Sequence, residues 1–361
     1  MNDWHSCGVG LRFQLGDWTF FRVRLPLRVR TVRPIDEQPL DATLEVPSDP
    51  LPEGTQGYLF RSLPIATALP RISSVGGFLR YVPLQYTHGY IDLRTSFDAY
   101  QKRFSAKSRS TLKRTLRRYA DRCGGTIAWR TYSTPEDMPE FFRLARLVSM
   151  RTYQEKLLAA GIPVTDEFLA GASSLAANQR VRAYILFDGE RPVSYLYCPV
   201  ENGVVIYRYL GFDPDYFRWS VGTMLFWLAI AQLFDERRFS HFDFTEGQGE
   251  QKRRFATHQR PCANVFFIKR TARNTILILS HLMLDACSRG LGSTLDHVGV
   301  KIKIKRLLRA GVPVRRSDFE GAARGQASPQ SREEGWKRWR KFAYVVLAGV
   351  AGLAAFVMLV D

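Results

Sequence analysis

Between residues 180 and 270 the sequence dictates an order of elements that few folds accommodate. Three β-like runs, RVRAYILFDGERPVSYLYCPVENGVVIYRYLGFD, are separated by Asp188-Gly189 and Asn202-Gly203, dipeptides that supply the positive φ of tight hairpin turns. Next come Ser220-Val221-Gly222-Thr223 and an apolar helix over 224–235, MLFWLAIAQLFD. A short strand, HFDF, leads into the turn-rich TEGQGE and the cations Lys252, Arg253 and Arg254, and ANVFFIKR closes the region as a strand. Upstream, a βα region begins at Gly125. TIAWRTY is a strand, and Thr134-Pro135-Glu136-Asp137 starts a helix with proline in its first turn. That helix runs through MPEFFRLARLVSMRTYQEKLL, and another spans 166–178. Two helices, three antiparallel strands, a helix and two further strands predict an α/β protein built on a mixed (α+β) sheet.

The remainder of the chain carries weaker patterns. At 361 residues there is room for two domains, and 45% hydrophobic with 13% aromatic residues supply a core. Residues 10–91 read as short strands, broken at Pro47, Pro50, Pro52 and Gly54. Residues 97–120 read as a helix with Phe104, Leu112, Leu116 and Tyr119 on one face. Nine Lys/Arg fall between 102 and 122, opposed by Asp121 alone. A solvated basic face on a connecting helix and a nucleic-acid contact both fit this run, and no recognisable nucleic-acid module surrounds it.

The formal charge of +18 is concentrated near the C-terminus, where residues 269–341 hold 17 Lys/Arg against 6 Asp/Glu. Within 274–310, TILILSHLML and KIKIKRLLRAG read as amphipathic helix suited to anionic headgroups. RGQASPQSREEG, 324–335, reads as a polar linker. Phe342 to Val360 is 19 residues without a charge, about 28 Å as a helix and so long enough to span a bilayer. Trp336, Trp339 and the intervening Lys337, Arg338, Arg340 and Lys341 flank it as an interfacial belt. The expectation is a single-pass anchor in the cell inner membrane with residues 1–341 facing the cytoplasm. Cys7, Cys123, Cys198, Cys262 and Cys287 are odd in number and scattered, which fits a reducing compartment better than a disulfide framework or a zinc site. The N-terminus lacks the basic and apolar regions of a signal peptide.

Four pieces in fixed order carry a family resemblance: GYIDL at 89–93, KSRSTLKRTLRRYA at 107–120, YRYLGFDPDYFRWSVGTML at 207–225 and FDFTEGQGEQKRRFA at 242–256. Over roughly 85–270 the chain resembles the tandem GNAT acyltransferases, in particular the acetyltransferases of cellulose and exopolysaccharide biosynthesis, which are related to the FemABX aminoacyl transferases. The resemblance implies a tandem GNAT-like acyl-CoA N-acyltransferase fold. Residues 1–98 would be a degenerate first half, 99–124 a basic connecting helix, 125–272 the acyltransferase half, 273–335 a basic linker region and 336–361 the anchor. It also implies acetyl-CoA or another acyl-CoA as co-substrate, a sugar or lipid-linked sugar as acceptor, and polysaccharide synthase components as partners.

Acyl transfer from a CoA thioester needs its pyrophosphate held, its carbonyl polarised and a nucleophile deprotonated. Unpaired amides at a helix N-terminus hold phosphate, and Arg218, Ser220, Val221, Gly222 and Thr223 stand where the resemblance puts them, before helix 224–235. The GNAT loop reads Gln/Arg-x-x-Gly-x-Gly/Ala. Arg218 matches it, whereas Val221 and Thr223 replace small residues; an ordinary Ser/Thr-capped helix is the alternative. By resemblance, VVIYRYLGF would splay from its neighbour to meet the pantetheine arm. Strand alternation puts Tyr207 and Tyr209 on one face, with Tyr209 a candidate acid for the departing thiolate. FDFTEGQGEQKRRF matches the family's Asp-Phe-x-x-Gly turn. Glu246 or Asp243 would be the general base, and Lys252 would contact phosphate or a sugar carboxylate; a turn-capping Asp and solvated cations are the plain alternatives.

His241 and His258, beside this turn, read as structural. No metal-binding motif, G-x-S-x-G or P-loop occurs. Two other readings stay open: a FemABX-like transferase taking aminoacyl-tRNA, and a catalytically inactive membrane-tethered scaffold of a polysaccharide synthase.

Overall fold

The computed structural model describes residues 4–15, 18–35, 38–39, 44–152, 161–247 and 249–297. The expected linker 324–335, the anchor 342–360 and the basic stretch beyond 297 lie outside them. In chain order the strands are β1 (His5–Leu15), β2 (Trp18–Thr31), β3 (Gly57–Pro64), β4 (Ile72–Val75), β5 (Phe78–Asp92), β6 (Trp129–Tyr132) and β7 (Val181–Asp188). β8 (Arg191–Glu201), β9 (Val204–Ile206), β10 (Tyr209–Phe212), β11 (His241–Asp243) and β12 (His258–Lys269) follow. The helices are α1 (Phe97–Lys102), α2 (Ala106–Arg122), α3 (Asp137–Ser149), α4 (Asp166–Ala177), α5 (Val221–Glu236), α6 (Glu250–Phe255) and α7 (Ala272–His297). No helix of the described residues is long and apolar enough to cross a membrane.

Two compact units share this mixed α/β chain. Among the described residues, the first takes those up to Gln85 and those from Ala263 to His297. There β1 and β2 form a long antiparallel hairpin, β2 pairs β3 in parallel, and β4 lies antiparallel on β5. Helix α7 is tied in through His281, whose Nδ1 meets the buried Tyr81 hydroxyl at 2.6 Å while Nε2 meets the Arg12 carbonyl at 3.0 Å. Burial pushes the His281 imidazole pKa down.

The second unit, Tyr86–Cys262, carries the expected motifs. Its strands run in the order β5-β11-β9-β8-β7-β6, with β10 also on β8. Both hairpin dipeptides act as read: Gly189 has φ 59°, and Asn202 and Gly203 have φ 49° and 75°, the signature of a type I′ turn. The sheet is antiparallel except where β11 lies parallel to β9, His241 opposite Val204. A parallel neighbour needs a crossover, and α5 provides it.

Helix α5 is predominantly apolar and buries most of its length between Val221 and Phe234, as a helix packed on several sides must. With α1 and α2 it encloses a core of Tyr100, Tyr119, Phe226, Phe242 and Phe244. On the opposite sheet face α3 and α4 enclose Phe141, Phe142, Tyr195 and Tyr197.

Three elements differ from the sequence reading. The helix expected over 97–120 is two, because Ser105 opens a second one by accepting from the Ser108 amide at 3.2 Å. The helix expected to run through 158 stops at Ser149, residues 153–160 lying outside the described set. VVIYRYLGF, read as one strand, is divided between β9 and β10.

The connection from β10 to α5 is held by Asp213, which is fully buried. Its Oδ2 accepts from Arg151 at 2.8 Å and Arg191 at 2.6 Å, and its Oδ1 from the Asp215 amide at 3.1 Å. Asp213→Asn removes the charge that both guanidiniums share. Hydrogen bonds to charged groups contribute about 1.5–3 kcal/mol, so we expect thermal denaturation to show a loss of that order. An unchanged melting temperature would show that the connection is held by something else.

Candidate functional site

The site forms where β11 ends. Asp243 is the last residue of that strand and is buried, with its carboxylate already engaged. Oδ1 accepts from His88 Nε2 and from the Thr245 amide, both at 2.7 Å. The second bond turns the chain sharply, and Thr245 takes a positive φ of 59°, a conformation that costs a β-branched residue strain and needs a compensating contact. His88 is equally buried, and its Nδ1 has no hydrogen-bond partner among the described residues. Cys262 lies against the same group. Burial, with the charge of Asp243 adding, raises its thiol to about 12.

Beyond the turn, Lys252 on α6 reaches back to donate to the Glu246 carbonyl at 2.8 Å, its ammonium 5.6 Å from the Tyr207 ring centre. Burial pulls the Lys252 amine down, partly offset by the charges of Asp243 and Glu246. Around it opens a cleft of about 370 Å³ lined by Thr87, Gly89, Gly247, Gly249, Lys252, Arg253 and Gln259. Glu246 is an exposed residue outside that lining.

A second recess, about 120 Å³, lies on the other side of α6 at the start of α5. Ser108, Arg109, Thr111 and Thr115 of α2 face it, with Ser220, Thr223 and Arg254. Ser220 has φ 54° and makes no side-chain cap bond, so the Ser/Thr-cap alternative is not what is seen. The first helical bond runs from the Met224 amide to the Ser220 carbonyl. The amides of Val221, Gly222 and Thr223 therefore have no acceptor among the described residues, and helix-end amides in that state attract anions.

The segment from β9 to β10 is bulged. The Arg208 amide donates to the Tyr197 carbonyl at 3.2 Å, while Tyr209 is the register partner of Tyr197. Two residues opposing one is a β-bulge, and the extra residue inverts the alternation. Tyr207 packs on Phe226, Phe242 and Phe244, whereas Tyr209 packs on Phe168 and Tyr197 across the sheet. The two tyrosines do not share a face as their spacing predicted. Up to Tyr207, whose amide donates to the Asp243 carbonyl at 2.8 Å, the segment is flanked by β8 and β11. Past it β11 has ended, and β8 is the one strand on β10 among the described residues.

The structure thus brings Asp243, Glu246 and Lys252 together around one turn and splits the expected phosphate group. Ser220 and Thr223 line the smaller recess, while Lys252 lies in the larger cleft. Arg218 is exposed, its guanidinium 5.7 Å from the Trp219 ring centre. Val221 and Gly222 are buried, and a β-carbon on Gly222 would come 3.2 Å from Phe212 and 3.3 Å from Leu210. That glycine serves helix-to-strand packing. The sequence reading missed His88, Thr87 and the recess side of α2. GYIDL begins one residue after His88, and nothing in the spacing linked that histidine to Asp243.

Residues 106–253 match the family model described as an acetyltransferase (GNAT) domain. No curated protein matches the chain. Among solved structures it is similar to a domain from Agrobacterium fabrum described as the C-terminal domain of a lysylphosphatidylglycerol synthetase, at 13% identity over 64% of this chain and 73% of that one, with a TM-score of 0.42. It is also similar to L-PGS from Bacillus licheniformis, at 14% identity over 65% and 73%, TM-score 0.40. FemX is a third, at 9% identity over 50% and 61%, TM-score 0.37.

Two substitutions separate support of the turn from exposure on it. Asp243→Asn weakens two buried hydrogen bonds, and we expect it to lower stability by about 1–3 kcal/mol. Glu246→Gln alters an exposed side chain and should stay within about 0.5 kcal/mol of the parent. Equal melting temperatures for parent and Asp243→Asn would remove Asp243 as the anchor of the turn.

Proposed function

We propose that this chain transfers an acyl group from a CoA thioester to a sugar or lipid-linked sugar. The observation that carries this reading is the parting of the strands after Tyr207. It leaves a strand edge without a strand partner running from the Asp243 turn toward three unpaired amides at the start of α5. An extended ligand with amides along its length and phosphates at one end fits such a track: amides on the β10 edge, phosphates in the recess of Ser220, Thr223, Arg109 and Arg254. The thioester then lies near the Lys252 cleft, which takes the acceptor.

In the reaction the acceptor oxygen or nitrogen attacks the thioester carbonyl carbon and the C–S bond breaks. The acceptor's proton passes to a base, and the departing thiolate is protonated. At the turn Asp243 is engaged by His88 and Thr245, and the acceptor's proton is assigned to Glu246, the exposed carboxylate at the rim beside the cleft. Tyr209, packed across the sheet, is poorly placed for the thiolate, and the buried Tyr207 phenol has its pKa pushed up by burial. A role in envelope or exopolysaccharide synthesis draws on the four motifs and on the apolar segment 342–360, which would hold the chain at the inner membrane.

A second reading is favoured by α2, where Lys107, Lys113, Arg114 and Arg117 are exposed and make no ion pair among the described residues. An aminoacyl-tRNA donor would use such a face, and its binding would weaken steeply with salt.

Thr223→Glu tests the first reading. Thr223 occupies the third helical position of α5, where a carboxylate suits the helix dipole, so the variant should melt at or above the parent temperature. The same carboxylate faces the recess and repels phosphate, at a cost of several kcal/mol when like charges meet closely. Calorimetry on the full chain in detergent should show CoA binding to the parent and at least about tenfold weaker binding to the variant. Equal affinity would place the donor's phosphates elsewhere, and tRNA binding without CoA binding would favour the second reading.

A further inference from the structure

We infer that the Lys252 cleft selects acceptors by an anionic group, a phosphate or a carboxylate carried on the acceptor itself; this rests on the acyl-transfer reading above. Among the described residues the lining includes two cations, Lys252 and Arg253, and no carboxylate side chain. Thr87 and Gln259 add neutral polar groups suited to hydroxyls. The volume, about 370 Å³, falls in the range of roughly 300–1,000 Å³ that small-ligand sites occupy.

Lys252 is set up for such a ligand. An ammonium has three donors, and among the described residues Lys252 uses one of them, on the Glu246 carbonyl. Burial disfavours its charged form more than the charges of Asp243 and Glu246 restore it, and an anion in contact would add to them.

Two glycines flank the Lys252 side chain and a third packs against its backbone. A β-carbon on Gly247 would stand 3.6 Å from Lys252 Nζ, one on Gly249 3.6 Å from its Cγ, and one on Gly89 3.7 Å from its carbonyl and 3.0 Å from the Ala256 β-carbon. Any side chain at these positions would cover the ammonium or crowd α6. Gly247 and Gly249, which follow the Asp243 turn, leave the lysine side chain bare, and Gly89 on β5 lets the backbone of α6 pack close to that strand.

The donor's phosphates have their own place. α6 stands between the recesses, with Lys252 and Arg253 lining the larger and Arg254 and Phe255 the smaller. An anion beside Lys252 therefore belongs to the acceptor.

The test is calorimetric titration of the full chain in detergent with glucose 6-phosphate, glucuronate, glucose and CoA. The parent should bind both charged sugars about tenfold or more tightly than glucose. Lys252→Met should abolish that preference and leave CoA affinity unchanged. Arg253→Gln, on an exposed residue, should weaken the charged sugars in the same sense and keeps the test valid if Lys252→Met fails to fold. The inference is overturned if the parent binds neither charged sugar at millimolar concentration, or binds them no better than glucose. It is overturned equally if the variants lose CoA instead, which would assign the anion to the donor. CoA binding to the parent reports on the acyl-transfer reading separately from any sugar result.

Discussion

The buried contact between His88 and Asp243 decides where β11 stops, and much of the second unit's arrangement depends on that stop. β11 is only three residues long, yet it is the parallel neighbour of β9 and the antiparallel neighbour of β5. Its last carboxylate draws together a histidine from β5 and the amide two residues on, so the chain leaves the sheet at Thr245 rather than extending along β10. With a longer β11 the β10 edge would be paired. Because it ends, β10 presents an edge, and α6 can fold back to bring Lys252 to the turn.

A second constraint acts on the facing segment. One extra residue at Arg208 lets the chain keep β8 as its partner while rotating its side chains by one position. Tyr207 is thereby committed to the aromatic cluster under α5, and Tyr209 to the cluster under α3 and α4. The strand then runs through Asp213, pinned by two arginines, into a 3-10 turn at Pro214–Trp219 and the left-handed Ser220. That residue starts α5 with its backbone carbonyl and leaves the following three amides without acceptors among the described residues. Strand edge and amides are consecutive along the chain, so a single extended ligand can meet both.

How much of this was legible follows from the range of each interaction. Asp188-Gly189 and Asn202-Gly203 are local turn chemistry, and both hairpins form where they stand. Helix α5 was readable because twelve apolar-rich residues after a Gly/Thr start leave little else. The turn at 243–252 stood out in the sequence as a candidate site, and Asp243, Glu246 and Lys252 do lie around one turn. The pairing of Asp243 with His88 was not readable, because 155 residues separate them and a lone histidine carries no periodic signal. The bulge was hidden too: VVIYRYLGF alternates without a Gly or Pro to mark an inserted residue. Ser105 broke a helix that its apolar spacing described as continuous, since a serine inside such a run reads equally well as surface or cap.

The central claim is that one acyl-CoA lies along β10 with its phosphates at the start of α5. Hydrogen–deuterium exchange of the full chain, with and without CoA, tests it most directly. The account predicts slowed exchange in two segments, residues 209–212 and 221–224, with the α3 and α4 face unaffected. Unchanged exchange in both segments under saturating CoA, or protection confined to other parts of the chain, would contradict it.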